Sequence, residues 1–92
     1  MTYNLSSPVP NPTKGIVKIS YAVPKTSRVN IRVYNCLGQV VRTLVDEEQK
    51  PGVYTINWNG KDDEGRQLSA GIYFYQMISD DFVGTKKAIL LK

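Results

Sequence analysis

Apolar and polar residues alternate with a period of two along most of this chain. Arg28 to Asn35 shows it best: Val29, Ile31 and Val33 alternate with Asn30, Arg32 and Tyr34, as in a strand with one buried face. Ile16 to Val23 places Val17, Ile19, Tyr21 and Val23 on one side. Gln39 to Val45 follows, and Val53 to Trp58 aligns Tyr54, Ile56 and Trp58. Arg66 to Ser69 reads as a very short fifth strand. Gly71 opens a run of β-formers, Ile72 to Ile78, and a turn at Ser79-Asp80-Asp81 leads into a last strand, Phe82 to Leu91. These two final segments are apolar on both faces for part of their length, which predicts central strands rather than an edge. Losing the last one is expected to cost the chain its fold.

Turn residues separate the segments. Asn35-Cys36-Leu37-Gly38 suits a type I turn with Gly38 at positive φ, so the second and third strands form a hairpin. Asp46 to Gly52 reads as a polar loop ending in Pro51-Gly52. Asn59 to Gly65 is a second loop, in which Gly60 and Gly65 carry the turns. Pro8, Pro10 and Pro12 remove ladder donors, so residues 1–13 read as a linker or lead-in and 14–92 as the folded domain. No stretch keeps a helical period. Seven short antiparallel strands with turns between them predict an all-β fold, an immunoglobulin-like β-sandwich.

Composition narrows the chemistry. Ninety-two residues make one small domain that buries about two-thirds of its unfolded surface and folds without staples. No apolar run approaches the ~20 residues of a membrane-spanning helix, so no membrane insertion is expected. Met1-Thr2-Tyr3-Asn4 lacks a signal-peptide profile, so an export role requires a leader from outside this stretch. There is no histidine, and Cys36 is the lone cysteine. Ser-His and Cys-His catalysis and zinc sites built on Cys or His are therefore excluded, and the chain reads as a non-enzyme without a cofactor. The formal charge is +4. The bases are spread along the strands rather than gathered on one face, which argues against a nucleic-acid partner.

The eight acids cluster at Asp46-Glu47-Glu48, Asp62-Asp63-Glu64 and Asp80-Asp81, each at an expected turn. If the fifth strand exists, the last two clusters share one end of the sandwich and offer five carboxyls to calcium. Solvated turns are the preferred reading, and no metal site is assigned. Tyr34, Phe74, Phe82 and Trp58 include candidates for a sugar-stacking platform, although core packing is the commoner fate of aromatics in a small sandwich. Cys36 reads as an unreactive turn residue.

Several pieces, in order, resemble a family. They are Pro10-Asn11-Pro12; Val29-x-Ile31-x-Val33-Tyr34-Asn35-x-x-Gly38-x-Val40-Val41-Arg42-Thr43-Leu44; Gly52-x-Tyr54-x-Ile56-x-Trp58-x-Gly60; and Gly71-Ile72-Tyr73-Phe74-Tyr75 with Thr85-Lys86-Lys87 and Lys92. Together they resemble the C-terminal sorting domain of the type IX secretion system, type A, and the related immunoglobulin-like domain of flagellar hook-capping proteins. Thr13 stands where that pattern often has Phe, and Asn35 where it often has Asp.

The resemblance implies a monomeric sorting module at the C-terminus of an exported protein. It also implies an N-terminal passenger domain, and passage through the periplasm to the cell surface or medium. The implied partners are the outer-membrane secretion machinery and a sortase-like peptidase. On it, Lys86, Lys87, Lys92, Gly71 and Tyr73 are recognition candidates, while Gly38, Gly60 and Gly65 are structural turn residues. Taken singly, Lys86 and Lys87 read as solvated residues that guard a strand against edge pairing. The alternatives are a carbohydrate-binding or structural accessory module of a secreted enzyme, and an assembly domain of a flagellar hook cap.

Overall fold

Each alternating segment has one apolar face to bury, and the segments bury them against one another as two sheets. The computed structural model describes residues 2–91. Its strands are β1 (Asn4–Leu5), β2 (Val17–Val23), β3 (Ser27–Tyr34), β4 (Val40–Gln49), β5 (Gly52–Trp58), β6 (Gly71–Ser79) and β7 (Phe82–Leu90). One sheet has the order β1-β2-β5, the other β4-β3-β6-β7, and every neighbouring pair is antiparallel. The described residues contain no helix. The fold is an immunoglobulin-like β-sandwich, as the period of two predicts.

The inner faces of β2 and β3 are the alternating sets read from sequence, and β6 adds an alternating set of its own. Val17, Ile19, Tyr21 and Val23 of β2 meet Val29, Ile31 and Val33 of β3 and Tyr73, Tyr75 and Met77 of β6, all buried. Trp58 lies at the end of β5 with no exposed surface. Its indole N–H donates to the Lys61 carbonyl at 3.0 Å, so burial leaves no orphan donor. Tyr73 meets it edge-on, with ring centroids 5.7 Å apart and planes at 68°. Tyr54 and Ile56 share its face but are half-buried, because β5 is a sheet edge.

Four features differ from the sequence expectation, each for a local reason. Arg66–Ser69 is not a strand. Asp62 Oδ1 accepts the N–H groups of Glu64 and Arg66 at 2.9 Å each, and this side-chain turn displaces ladder pairing. Only an isolated Lys61–Gln67 bridge remains. The seventh strand comes instead from the residues assigned above to a lead-in: β1 pairs with β2, and Leu5 is only 3% exposed. Asp46–Gln49, expected in a loop, extends β4. An edge strand tolerates charge on its solvated faces, and Arg28 bonds Asp46 Oδ1 at 2.8 Å from β3. Finally, β7 lies at the edge of its sheet, so of the last two strands only β6 is central. The apolar residues behind the central-strand expectation split: Ala88 and Leu90 are buried, while Val83 is 59% exposed.

The fold yields a test. Trp58→Ala removes the largest fully buried side chain and should cost about 3–5 kcal/mol in urea unfolding. Native fluorescence should be blue-shifted and poorly quenched by iodide. A red-shifted, readily quenched emission would contradict the burial.

Candidate functional site

The chain between Leu5 and Val17 closes one side of the sandwich by passing from one sheet to the other. Ser6 N–H donates to the Ser20 carbonyl, and Val9 exchanges two backbone hydrogen bonds with Lys18 of β2. The chain then crosses to β7. Pro10 and Pro12 have no N–H to donate, and Asn11 between them pairs through its side chain. Asn11 Oδ1 accepts the Ile89 N–H at 2.9 Å, and Asn11 Nδ2 donates to the Lys87 carbonyl at 3.3 Å. Thr13, buried at the position where the family pattern often has Phe, continues the contact. Its N–H donates to the Ile89 carbonyl at 2.9 Å, and its carbonyl accepts the Leu91 N–H at 2.7 Å. The half of β7 toward its C-terminal end is thus hydrogen-bonded on both sides.

At the other half two aromatics pack side chain on side chain, without bonding the outward backbone groups. The Tyr3 ring stacks on Phe82 at 5.5 Å, and Phe82 in turn covers Gly84, where a Cβ would lie 2.9 Å from the ring. The Tyr3 hydroxyl donates to Asp80 Oδ2 at 3.0 Å and lies 2.6 Å from Ser27 Oγ, while Lys25 Nζ pairs with the same carboxylate at 3.3 Å. The Tyr3 hydroxyl and then Lys25 hold the Asp80 carboxyl below its ordinary pKa. Tyr75, wholly buried, donates its hydroxyl to the Ser6 carbonyl and so links β6 to the crossing segment. Burial pushes its phenol pKa upward.

Among the described residues, the recognition candidates do not form one patch. Lys86 and Lys87 are both exposed, but neighbours on a continuous strand point to opposite faces. Lys87 stands on the outer face opposite Phe74. Lys86 stands on the inner side opposite Tyr75, at the open flank of the sandwich. Lys92 lies outside the described residues. Gly71 begins β6 at φ +152°, opposite Leu90. Tyr73 is a core residue whose hydroxyl donates to the Ser69 carbonyl at 2.7 Å.

Gly38, Gly60 and Gly65 all have positive φ. Gly38 has φ +81° and donates to the Asn35 carbonyl, while Asn35 Oδ1 accepts the N–H groups of Leu37 and Gln39. Gly60 (φ +75°) is buried, and a Cβ there would lie 3.1 Å from Gln67 Nε2. Gly65 has φ +81°. An open depression of about 220 Å³ lies between the β3–β4 turn and the start of β6, with Cys36 Sγ 3.1 Å from the Ile72 carbonyl.

The acidic clusters separate. With no strand at 66–69, the Asp62–Glu64 loop precedes β6 and the Asp80–Asp81 turn follows it, at opposite ends of that strand. Asp62 serves its own turn. The Asp63 N–H donates to the Val41 carbonyl and its Oδ1 accepts the Thr43 N–H, both on the outer edge of β4. The four aromatics separate too: Trp58 is core, Phe82 stacks on Tyr3, and Tyr34 and Phe74 are cross-strand partners on the outer face. The bonds that Asn11 and Asp63 make to strand edges escape pattern reading, because they depend on which strand comes alongside. The one local signal is a hydrogen-bonding side chain between two prolines.

A two-sheet, helix-free sandwich closed by its own N-terminal segment is an immunoglobulin-like module. The family model for the FlgD Ig-like domain matches residues 4–81, and the chain belongs to that family. No curated protein has a matching sequence. A solved FlgD from P. aeruginosa is 27% identical with TM-score 0.58, covering 80% of this chain and 58% of that one. Latent dimeric PorU from Porphyromonas gingivalis superposes at TM-score 0.75 and 15% identity over 99% of this chain. PorZ of the same organism, a surface component of its type IX secretion system, superposes at TM-score 0.63 and 11% identity over 98%. This chain spans 10% and 11% of those two proteins, and at these identities the likeness is one of fold.

The buried phenol gives a pH prediction. A phenol whose folded pKa lies above its unfolded value near 10 contributes stability that is complete below pH ~10 and is lost as pH rises through the folded pKa. The denaturant midpoint should therefore fall above pH ~10, and Tyr75→Phe should flatten that fall. Tyr21, also raised by burial, leaves a residue of it. An alkaline slope as steep in Tyr75→Phe as in wild type would contradict the assignment.

Proposed function

We propose that this domain is a non-enzymatic sorting module of the type IX secretion system. In this reading it is carried at the C-terminus of an exported protein and read by the outer-membrane machinery and a sortase-like peptidase. The observation that carries the reading is the contact between the two ends of the motif set. Asn11, of Pro10-Asn11-Pro12, binds the backbone of β7 at Lys87 and Ile89. The Pro10-Asn11-Pro12 piece thus meets the strand that carries Thr85-Lys86-Lys87. The fold shared with a surface component of a type IX system supports the same reading. Phe74 and Lys87 face outward from this strand pair, with Lys86 on its flank, and these are the groups a receptor would meet.

A second reading, an assembly domain like that of FlgD, is favoured by the family match and by the 27% identity to the P. aeruginosa protein. A passenger domain with a signal peptide upstream favours sorting, whereas a hook-capping region upstream favours assembly.

A signal-peptide-bearing reporter fused before residue 1 tests the proposal in a bacterium with a type IX system. The fusion should appear at the surface or in the medium. Deleting residues 83–92 should abolish export and unfold the domain. Replacing Lys86, Lys87 and Lys92 with Gln should leave the fold intact, since the exposed charges of Lys86 and Lys87 contribute little to stability, and should lower export if those charges are read. A folded fusion held in the periplasm while the host's own cargo leaves normally would overturn the sorting reading.

A further inference from the structure

We propose that the free half of the β7 edge, from Val83 to Lys87, is a docking site for an extended segment of another polypeptide that carries two adjacent acidic residues. The site concerns the strand discussed above but stands on edge geometry, so it is testable whether or not the export fusion is secreted. Ile89, Leu91 and the Lys87 carbonyl bond outward to Asn11 and Thr13. The odd-numbered residues of β7 therefore turn their N–H and C=O groups away from β6. The β6–β7 register is continuous, so Val83, Thr85 and the Lys87 N–H point the same way. Among the described residues, these groups have no hydrogen-bond partner.

Such an edge takes an extended backbone, and the crossing segment already takes one over residues 11–13. The side chains then select the sequence. Lys86 and Lys87 flank the free edge on opposite faces, and neither has a carboxylate within ion-pair distance among the described residues. In an extended partner, adjacent residues also point to opposite faces. Two consecutive acidic residues therefore place one carboxylate beside each lysine. The same lysines disfavour a neutral or basic strand. A second copy of this chain carries adjacent acids at Glu47-Glu48 on β4. However, β4 and β7 are opposite edges of one sheet, so that pairing propagates as an open array instead of closing.

The test uses isotope-labelled domain and a blocked nonapeptide, Thr-Val-Thr-Glu-Glu-Val-Thr-Val-Thr, with Gln-Gln and Lys-Lys versions as controls. The Glu-Glu peptide should slow hydrogen exchange at the Val83 and Thr85 amides at least tenfold, and the Gln-Gln peptide should bind at least fivefold more weakly. The difference between them should shrink in high salt. Lys86→Glu with Lys87→Glu should reverse the preference toward the Lys-Lys peptide. Thr85→Pro removes an outward N–H without touching the β6 ladder, so it should abolish binding in a folded domain. If Thr85→Pro does not fold, the charge-reversal pair decides. Equal binding of all three peptides, or exchange at Val83 and Thr85 unchanged by the Glu-Glu peptide, would overturn the proposal. Concentration-dependent protection without any peptide would assign the edge to a second copy and overturn it equally.

Discussion

Asn11 grips the backbone of β7 with one accepted and one donated hydrogen bond two residues apart, and that grip ties the crossing segment to the last strand. A sheet edge exposes alternating N–H and C=O groups, and leaving them open costs stability and invites unwanted pairing. The crossing segment meets this constraint while joining the two sheets. Ser6 and Val9 bond β2, Asn11 and Thr13 bond β7, and Tyr75 reaches across to the Ser6 carbonyl. Burial of Leu5 and Thr13 anchors the segment between these bonds. The last strand is therefore an edge strand in topology that is paired like an inner one over half its length.

The opposite edge of the same sheet uses the same chemistry. Asp63 bonds the Val41 carbonyl and the Thr43 N–H, again two residues apart. Arg42 Nη1 adds bonds to the Lys61 and Asp62 carbonyls at 3.3 Å each. One short polar residue stands in for a strand at each side, so a small domain closes its edges without spending whole strands on them. What stays open is correspondingly limited. The Val83–Lys87 stretch of β7 is flanked by two lysines, and β4 beyond Val45 is flanked by Asp46, Glu47 and Glu48.

The sandwich class and the inner faces of β2 and β3 were legible in the sequence, because a period of two reports directly which side of a strand is buried. Val17 to Val23 and Val29 to Val33 are the clearest cases. Gly38 was legible for a different reason: its four-residue turn is specified locally, and Asn35 supplies the side-chain bonds that hold it. The misreadings share one cause. Whether Asp46–Gln49 is loop or strand, whether β7 is edge or centre, and whether residues 4–13 belong to the fold depend on partners distant in the chain. The false strand at Arg66–Ser69 reflects a local competitor, the Asp62 turn, which apolar patterning does not register. Lys86 and Lys87 look like a basic pair in the sequence, yet alternation sends them to opposite faces.

Hydrogen exchange at Ile89 and Leu91 in Asn11→Ala tests the central claim, that the crossing segment clamps the final strand, most directly. Two side-chain bonds worth about 1 kcal/mol each predict at least tenfold faster exchange at Ile89, whose N–H Asn11 accepts, and a smaller rise at Leu91, whose N–H stays on the Thr13 carbonyl. Amides of β2 paired with β5, such as that of Ile19, should change much less. Unchanged protection of Ile89 and Leu91 in a folded Asn11→Ala domain would contradict the account, since β7 would then be held by β6, the core and the Thr13 backbone without help from Asn11.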